Sequence, residues 1–70
     1  MATFSLGKHP HVELCDLLKL EGWSESGAQA KIAIDDGLVK VDGQVERRKR
    51  CKIVAGQTVT FDGHSITIVA

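Results

Sequence analysis

Five cations stand in the six-residue window Arg47-Arg48-Lys49-Arg50-Cys51-Lys52. Like charges this close repel one another unless solvent or a counter-charge relieves them. Three of the five are arginines, whose planar guanidinium fork matches the oxygens of a phosphate two at a time. The pattern therefore points to binding of a polyanion rather than to catalysis. In a fully extended window, Arg48, Arg50 and Lys52 share one face and Arg47 and Lys49 share the other with Cys51 and Ile53. Ile53 belongs in a core, so a bend or loop is what lets all five reach one phosphate chain. Without a ligand, the same run acts as a solvated charged edge that discourages strand-to-strand association.

Two further features fit the same chemistry. Lys31 falls on the outward side of a helix whose inward stripe is Ala30, Ala33 and Ile34. At the start of that helix, Ser26 and Gly27 offer free backbone N–H groups at the positive end of the helix dipole, with no side chain on Gly27 to hold a phosphate away. Each feature alone is also what an ordinary solvated lysine or a plain capped helix looks like.

Other constellations fail on spacing. His9, His11, His64, Cys15 and Cys51 are zinc-ligand types, but no C-x-x-C and no histidine pair at helical spacing is present. Neither a metal nor a cofactor is expected. Cys15 lies in a helix that must bury one face, which makes it an inert apolar thiol. No nucleophile, base and orienting group stand together, so no catalytic residue and no enzymatic activity are predicted. Trp23 could stack on a base, but in a connector between helices it is expected to pack over the helix pair.

The formal net charge is zero, which read as a total argues against a polyanion partner. Its distribution argues the reverse. Residues 1–46 hold four lysines against eight acids, a balance of −4, whereas residues 47–70 hold five bases against Asp62 alone, a balance of +4. A chain of 70 residues, 43% hydrophobic and 26% charged, is sized for one small domain. Its two cysteines are too few for a disulfide scaffold. With no signal-peptide pattern and no apolar run of about 18 residues, the sequence predicts a cytoplasmic protein without a membrane partner.

The elements that must position these residues follow from periodicity. Ala2–Leu6 alternates, with Phe4 and Leu6 on one face of a short edge strand. Pro10 suits a first helical turn, and Leu14, Leu17 and Leu18 give an amphipathic helix ended at Glu21-Gly22. Ser26 and Gln29 form a capping box for a second helix that stops at Gly37. The period then becomes two. Val39-Lys40-Val41 and Gln44-Val45-Glu46 flank Asp42-Gly43, a strong hairpin signal. Thr58–Phe61 and Ser65–Val69 flank Asp62-Gly63 in the same way. The fold class is α+β: two short helices on a small antiparallel sheet, with an extra N-terminal strand.

The span from about Val12 to Gly63 resembles the S4-like RNA-binding domain, also known for its alpha-L motif. The matching residues are Leu14 with Leu17-Leu18, Gly22, Ser26, Ala30, Ile34, Gly37, Val39-Lys40-Val41-Asp42-Gly43 and Val54-Ala55-Gly56-Gln57 before Thr58-Val59. The whole chain is similar to the small standalone bacterial members, with no catalytic domain attached. The sequence departs from the family's pattern in three places: Gly27 stands where a basic residue is usual, Asp42 where Asn is frequent, and Gln57 where Asp is frequent. The resemblance implies a monomeric, non-catalytic domain. It would bind structured RNA, ribosomal or tRNA-like, through Ser26, Gly27, Lys31, Arg47, Arg48, Lys49, Arg50 and Lys52, with the ribosome or a ribonucleoprotein as a partner. The competing expectation is an adaptor that docks its basic edge on an acidic protein of the ribosome or the RNA-modification machinery.

Overall fold

Two glycines end the helices, and they do so by the same device. The computed structural model describes residues 2–70. Helix α1 spans Leu14–Leu20 and helix α2 spans Gly27–Asp35. After α1, Gly22 has φ +75°; its N–H donates to the Lys19 carbonyl and that of Trp23 to the Leu18 carbonyl. After α2, Gly37 has φ +77°, with the N–H groups of Gly37 and Leu38 donating to Ile34 and Ala33. Both are Schellman motifs, which need a residue that tolerates the left-handed region.

The strands among the described residues are β1 (Ala2–Ser5), β2 (Val12–Glu13), β3 (Val39–Val41), β4 (Gln44–Val45), β5 (Lys52–Ile53), β6 (Thr58–Phe61) and β7 (His64–Val69). Five of them form one sheet in the order β1-β7-β6-β3-β4, and β2 pairs with β5 in a separate two-stranded ribbon. The sheet is mixed: β1 runs parallel to β7, while the other pairs are antiparallel. The expected hairpins are present, with Asp42 and Asp62 at φ 52° and 49° before glycines at 84° and 79°. Positive φ at both central positions marks the type I′ turn that Asp-Gly favours.

One expected boundary moves. Pro10 lies outside helix α1, which begins only at Leu14 with Glu13 as its N-cap and no capping side chain. The reason is tertiary. The N–H groups of Leu14 and Cys15 donate to the carbonyls of Cys51 (3.0 Å) and Lys49 (3.1 Å), and Val12 and Glu13 are drawn into the ribbon with Ile53 and Lys52. A distant segment thus supplies the partners that a first helical turn leaves unsatisfied.

The core lies between the helices and one face of the sheet. Leu14, Cys15, Leu17 and Leu18 of α1 and Ala30 and Ile34 of α2 pack with Val39, Val59, Ile66 and Ile68, and Leu6 and Ile53 complete the cluster. Burying each large aliphatic side chain contributes roughly 1.5–3 kcal/mol. Trp23 is half-buried against the β6–β7 hairpin, stacked on His64 at 5.5 Å and tilted against Phe61 at 6.3 Å between ring centroids. It therefore contacts the sheet as well as the helix region.

Candidate nucleic-acid interface

The basic segment is a loop with a short strand at its end. Residues 46–51 are irregular, with a turn closed by the Cys51 N–H on the Arg48 carbonyl (3.1 Å), and only Lys52 and Ile53 are extended. Its backbone is anchored at both ends. The Glu46 N–H donates to Val39 (2.9 Å), and the carbonyls of Lys49 and Cys51 cap α1. Ile53 is fully buried, as its side chain demanded, while Arg47, Arg48, Lys49, Arg50 and Lys52 are all exposed. The bend reconciles the two requirements.

The side chains divide into two groups. Arg48, Arg50 and Lys52 line a shallow concavity of about 450 Å³ together with Cys51. These are the three residues that the extended reading puts on one face, and the turn keeps them together. Arg47 folds the other way, over the C-terminal end of α2. A methyl group on Gly37 would fall 2.9 Å from Arg47 Nη2, so the glycine makes room for the guanidinium. The last turn of α2 has no basic residue of its own, and a cation near a helix C-terminus interacts favourably with the dipole. Arg47 supplies that charge from a distant part of the chain, beside Gly37.

Glu46, missed by the sequence reading, is the hub of the loop. Its Oε2 accepts from the backbone N–H of Arg48 and from Arg48 Nε, both at 3.0 Å, and its Oε1 accepts from Arg48 Nη2 at 2.9 Å. Oε1 also accepts from the Cys51 thiol, 3.5 Å away. The side-chain hydrogen bond from Arg48, reinforced by the backbone one, holds the Glu46 carboxyl down at about 2. The same pairing raises the Arg48 guanidinium above its ordinary value. Burial, with Glu46 beside it, pushes the Cys51 thiol up, so it stays protonated. A signal for Glu46 was present: in an extended chain Glu-x-Arg puts both side chains on one face. Arg50 makes a looser ion pair with Glu13 at 3.8 Å.

The remaining candidates sit on α2. Lys31 is exposed. The Ser26 hydroxyl accepts from the Gln29 N–H (3.2 Å), while the Gln29 side chain accepts from Glu25 rather than from Ser26. The space beside Gly27 is open. No hydrogen bond or ion pair among the described residues joins Lys31, Ser26 or Gly27 to the basic loop. Arg47 meets the opposite end of the helix, about 13 Å from Gly27 for nine residues of 1.5 Å rise.

A second concavity, about 470 Å³, lies between β1 and α1 and is lined by Phe4, Leu6, His11, Val12 and Leu20 among others. Glu13 and Asp16 outnumber Lys19 there, the wrong balance for a polyanion. No group of three or more potential metal ligands occurs among the described residues, and no helix among them is long and apolar enough to cross a membrane.

Comparison with known proteins agrees with this architecture. A family model described as the S4 domain matches residues 4–69. The chain is 86% identical over 70 residues, spanning all of both proteins, to YbcJ of Escherichia coli (strain K12), which is named as a candidate RNA-binding protein. It is equally similar, at the same coverage, to a Shigella flexneri protein also named YbcJ and called uncharacterized. The solution structure of the E. coli protein, described as revealing an alpha-L motif involved in RNA binding, superposes with a TM-score of 0.77 at 86% identity, covering 100% of this chain and 89% of that one. The two helices, the mixed sheet and the family match together carry the conclusion that the chain belongs to the S4 domain family.

Proposed function

We propose that this protein binds structured RNA, ribosomal or tRNA-like, without catalysing a reaction on it. In this reading it works as a single monomeric S4-like domain in the cytoplasm, with the module at about 12–63, alone or on a ribonucleoprotein such as the ribosome. The observation that carries the proposal is the cationic concavity of Arg48, Arg50 and Lys52 on a loop fixed by backbone hydrogen bonds to β3 and α1. Phosphate contacts from such a rigid surface recognise the shape of the RNA backbone more than its base sequence. Arg47, Lys49 and Lys31 extend the charged surface toward α2, and the open N-terminus at Ser26 and Gly27 offers room for a phosphate at its far end. The acidic remainder of the chain opposes indiscriminate polyanion binding. The names of the YbcJ relatives point the same way.

The test is fluorescence anisotropy of a labelled rRNA hairpin and of unfractionated tRNA over a range of salt. Three to five phosphate contacts predict a log–log slope of about −2 to −4. Replacing Arg47, Arg48, Lys49 and Arg50 together by Ala should remove most of the affinity and leave the circular dichroism spectrum unchanged, because exposed charges add little stability. An affinity that does not vary with salt would contradict the reading. Recovery of a partner protein that survives nuclease treatment, without direct RNA binding, would favour docking on an acidic protein instead.

A further inference from the structure

The carboxylate in the middle of the basic loop presents a choice of sign. Glu46 either masks Arg48 from a phosphate, as an internal competitor, or holds it in position to meet one. The geometry points to the second: we infer that Glu46 is a positioning residue that aims Arg48 at RNA phosphate, so that this acidic side chain strengthens RNA binding. The inference rests on the RNA-binding reading above.

The engagement is side-on. Glu46 takes Arg48 Nε and Nη2, and Nη2 also approaches the Cys51 sulfur at 3.6 Å. The two N–H groups of Nη1 are left without a partner among the described residues. The Arg48 side chain remains 76% exposed, whereas that of Glu46 is only 19% exposed. A masking carboxylate would lie outermost and cover the fork. Here it lies inside, against the loop backbone, and Arg48 lines the concavity shared with Arg50 and Lys52. The Arg48 backbone N–H on the same carboxylate fixes main chain and side chain together.

The two effects have opposite signs and comparable sizes. A free arginine must lose its rotamer freedom when it binds, a penalty of about 2- to 13-fold in affinity per ordered side chain. In the folded loop that freedom is already lost. Repulsion between Glu46 and a phosphate on the far side of the guanidinium, about 8 Å away in water, amounts to about twofold and less in salt. Over most of that range positioning outweighs repulsion.

The test uses the full chain with the labelled rRNA hairpin. Glu46→Gln puts an amide donor where an acceptor oxygen faced the guanidinium. It should weaken binding about three- to tenfold, although the loop becomes more positive by one charge. Arg48→Lys keeps the charge but cannot form the side-on pair, and should cause a loss of similar size without touching Glu46. In an Arg48→Ala background, Glu46→Gln should lose most of its effect, since non-additivity reports that the two residues act as one unit. Thermal unfolding of each variant checks that the domain is intact. Tighter binding by Glu46→Gln, wild-type affinity in Arg48→Lys, or an undiminished Glu46→Gln penalty without Arg48 would each overturn the inference and leave RNA binding standing. If the wild-type protein fails to bind any structured RNA, the RNA reading itself fails, and the inference with it.

Discussion

The body of this domain and its basic loop are held together in different ways. Between the helices and the sheet, fully buried aliphatic side chains such as Leu17, Ile34 and Ile66 make the structure, and non-directional apolar burial dominates. In residues 46–52 only the half-buried Glu46 and Cys51 are shielded at all. There, position is set by three main-chain hydrogen bonds to other elements and by one carboxylate that gathers the turn. Under the proposed function, the cations of this surface must stay exposed to meet phosphates. The loop instead borrows order from the body: it caps α1, pairs with β2 and rests Arg47 on the end of α2. The contrast teaches that stability and binding should be separable by mutation in one region and inseparable in the other.

The sharpest way to break that comparison is in the core. Leu17→Ala should cost about 2–5 kcal/mol of stability, a large share of what a domain of this size possesses. Chemical denaturation measures it, and RNA binding should fall only as the folded fraction falls. The loop variants lacking four cations, and those at Glu46 and Arg48, should do the reverse: a large change in binding with only a small loss of stability.

Gly37→Ala tests the place where the two regions touch. The position needs φ +77°, which costs an L-residue roughly 1–2 kcal/mol, and the added methyl collides with the Arg47 guanidinium. Stability should fall by about that amount. Arg47→Ala in the same chain should recover little of it, because the exposed guanidinium can swing aside and the backbone strain remains. Full recovery would mean that the φ value carries no penalty.

The smallest effect concerns Glu46 itself. Its folded-state value is about 2, below its ordinary value of 4.5. A carboxylate lowered on folding contributes stability that is fully present above the ordinary value and is lost as pH falls through the folded one. The loop network should therefore persist above about pH 4.5 and release toward pH 2. The carboxyl carbon resonance of Glu46 should report this low midpoint, and Arg48→Ala should return it toward the ordinary value.

Much of the fold can be read from local patterns. Both helix ends, both Asp-Gly hairpins and the stripe Ala30, Ala33 and Ile34 are decided within a few residues of themselves, by φ preference or by apolar period, and each is found in the structure. What depends on distant partners is less legible. The late start of α1 follows from carbonyls of Lys49 and Cys51, and no property of His9-Pro10-His11 reveals that. The parallel entry of β1 beside β7 is equally silent, because an alternating strand does not state its direction. At the candidate interface, the cations and their exposure are visible in the chain, as is the need for a bend before Ile53. The division of labour is not: Arg47 turned to α2, Arg48 held by Glu46, and Arg50 beside Glu13 depend on how the turn closes.

The most direct test of the central claim is a titration of the isotopically labelled protein with the rRNA hairpin, following each backbone amide by NMR. The account predicts that the largest shifts fall on residues 46–52, with smaller ones on Leu14 and Cys15, whose N–H groups rest on that loop, and on the outward side of α2 at Lys31. Shifts confined to the groove between β1 and α1, at Phe4, His11 and Leu20, with residues 47–52 unmoved, would contradict it.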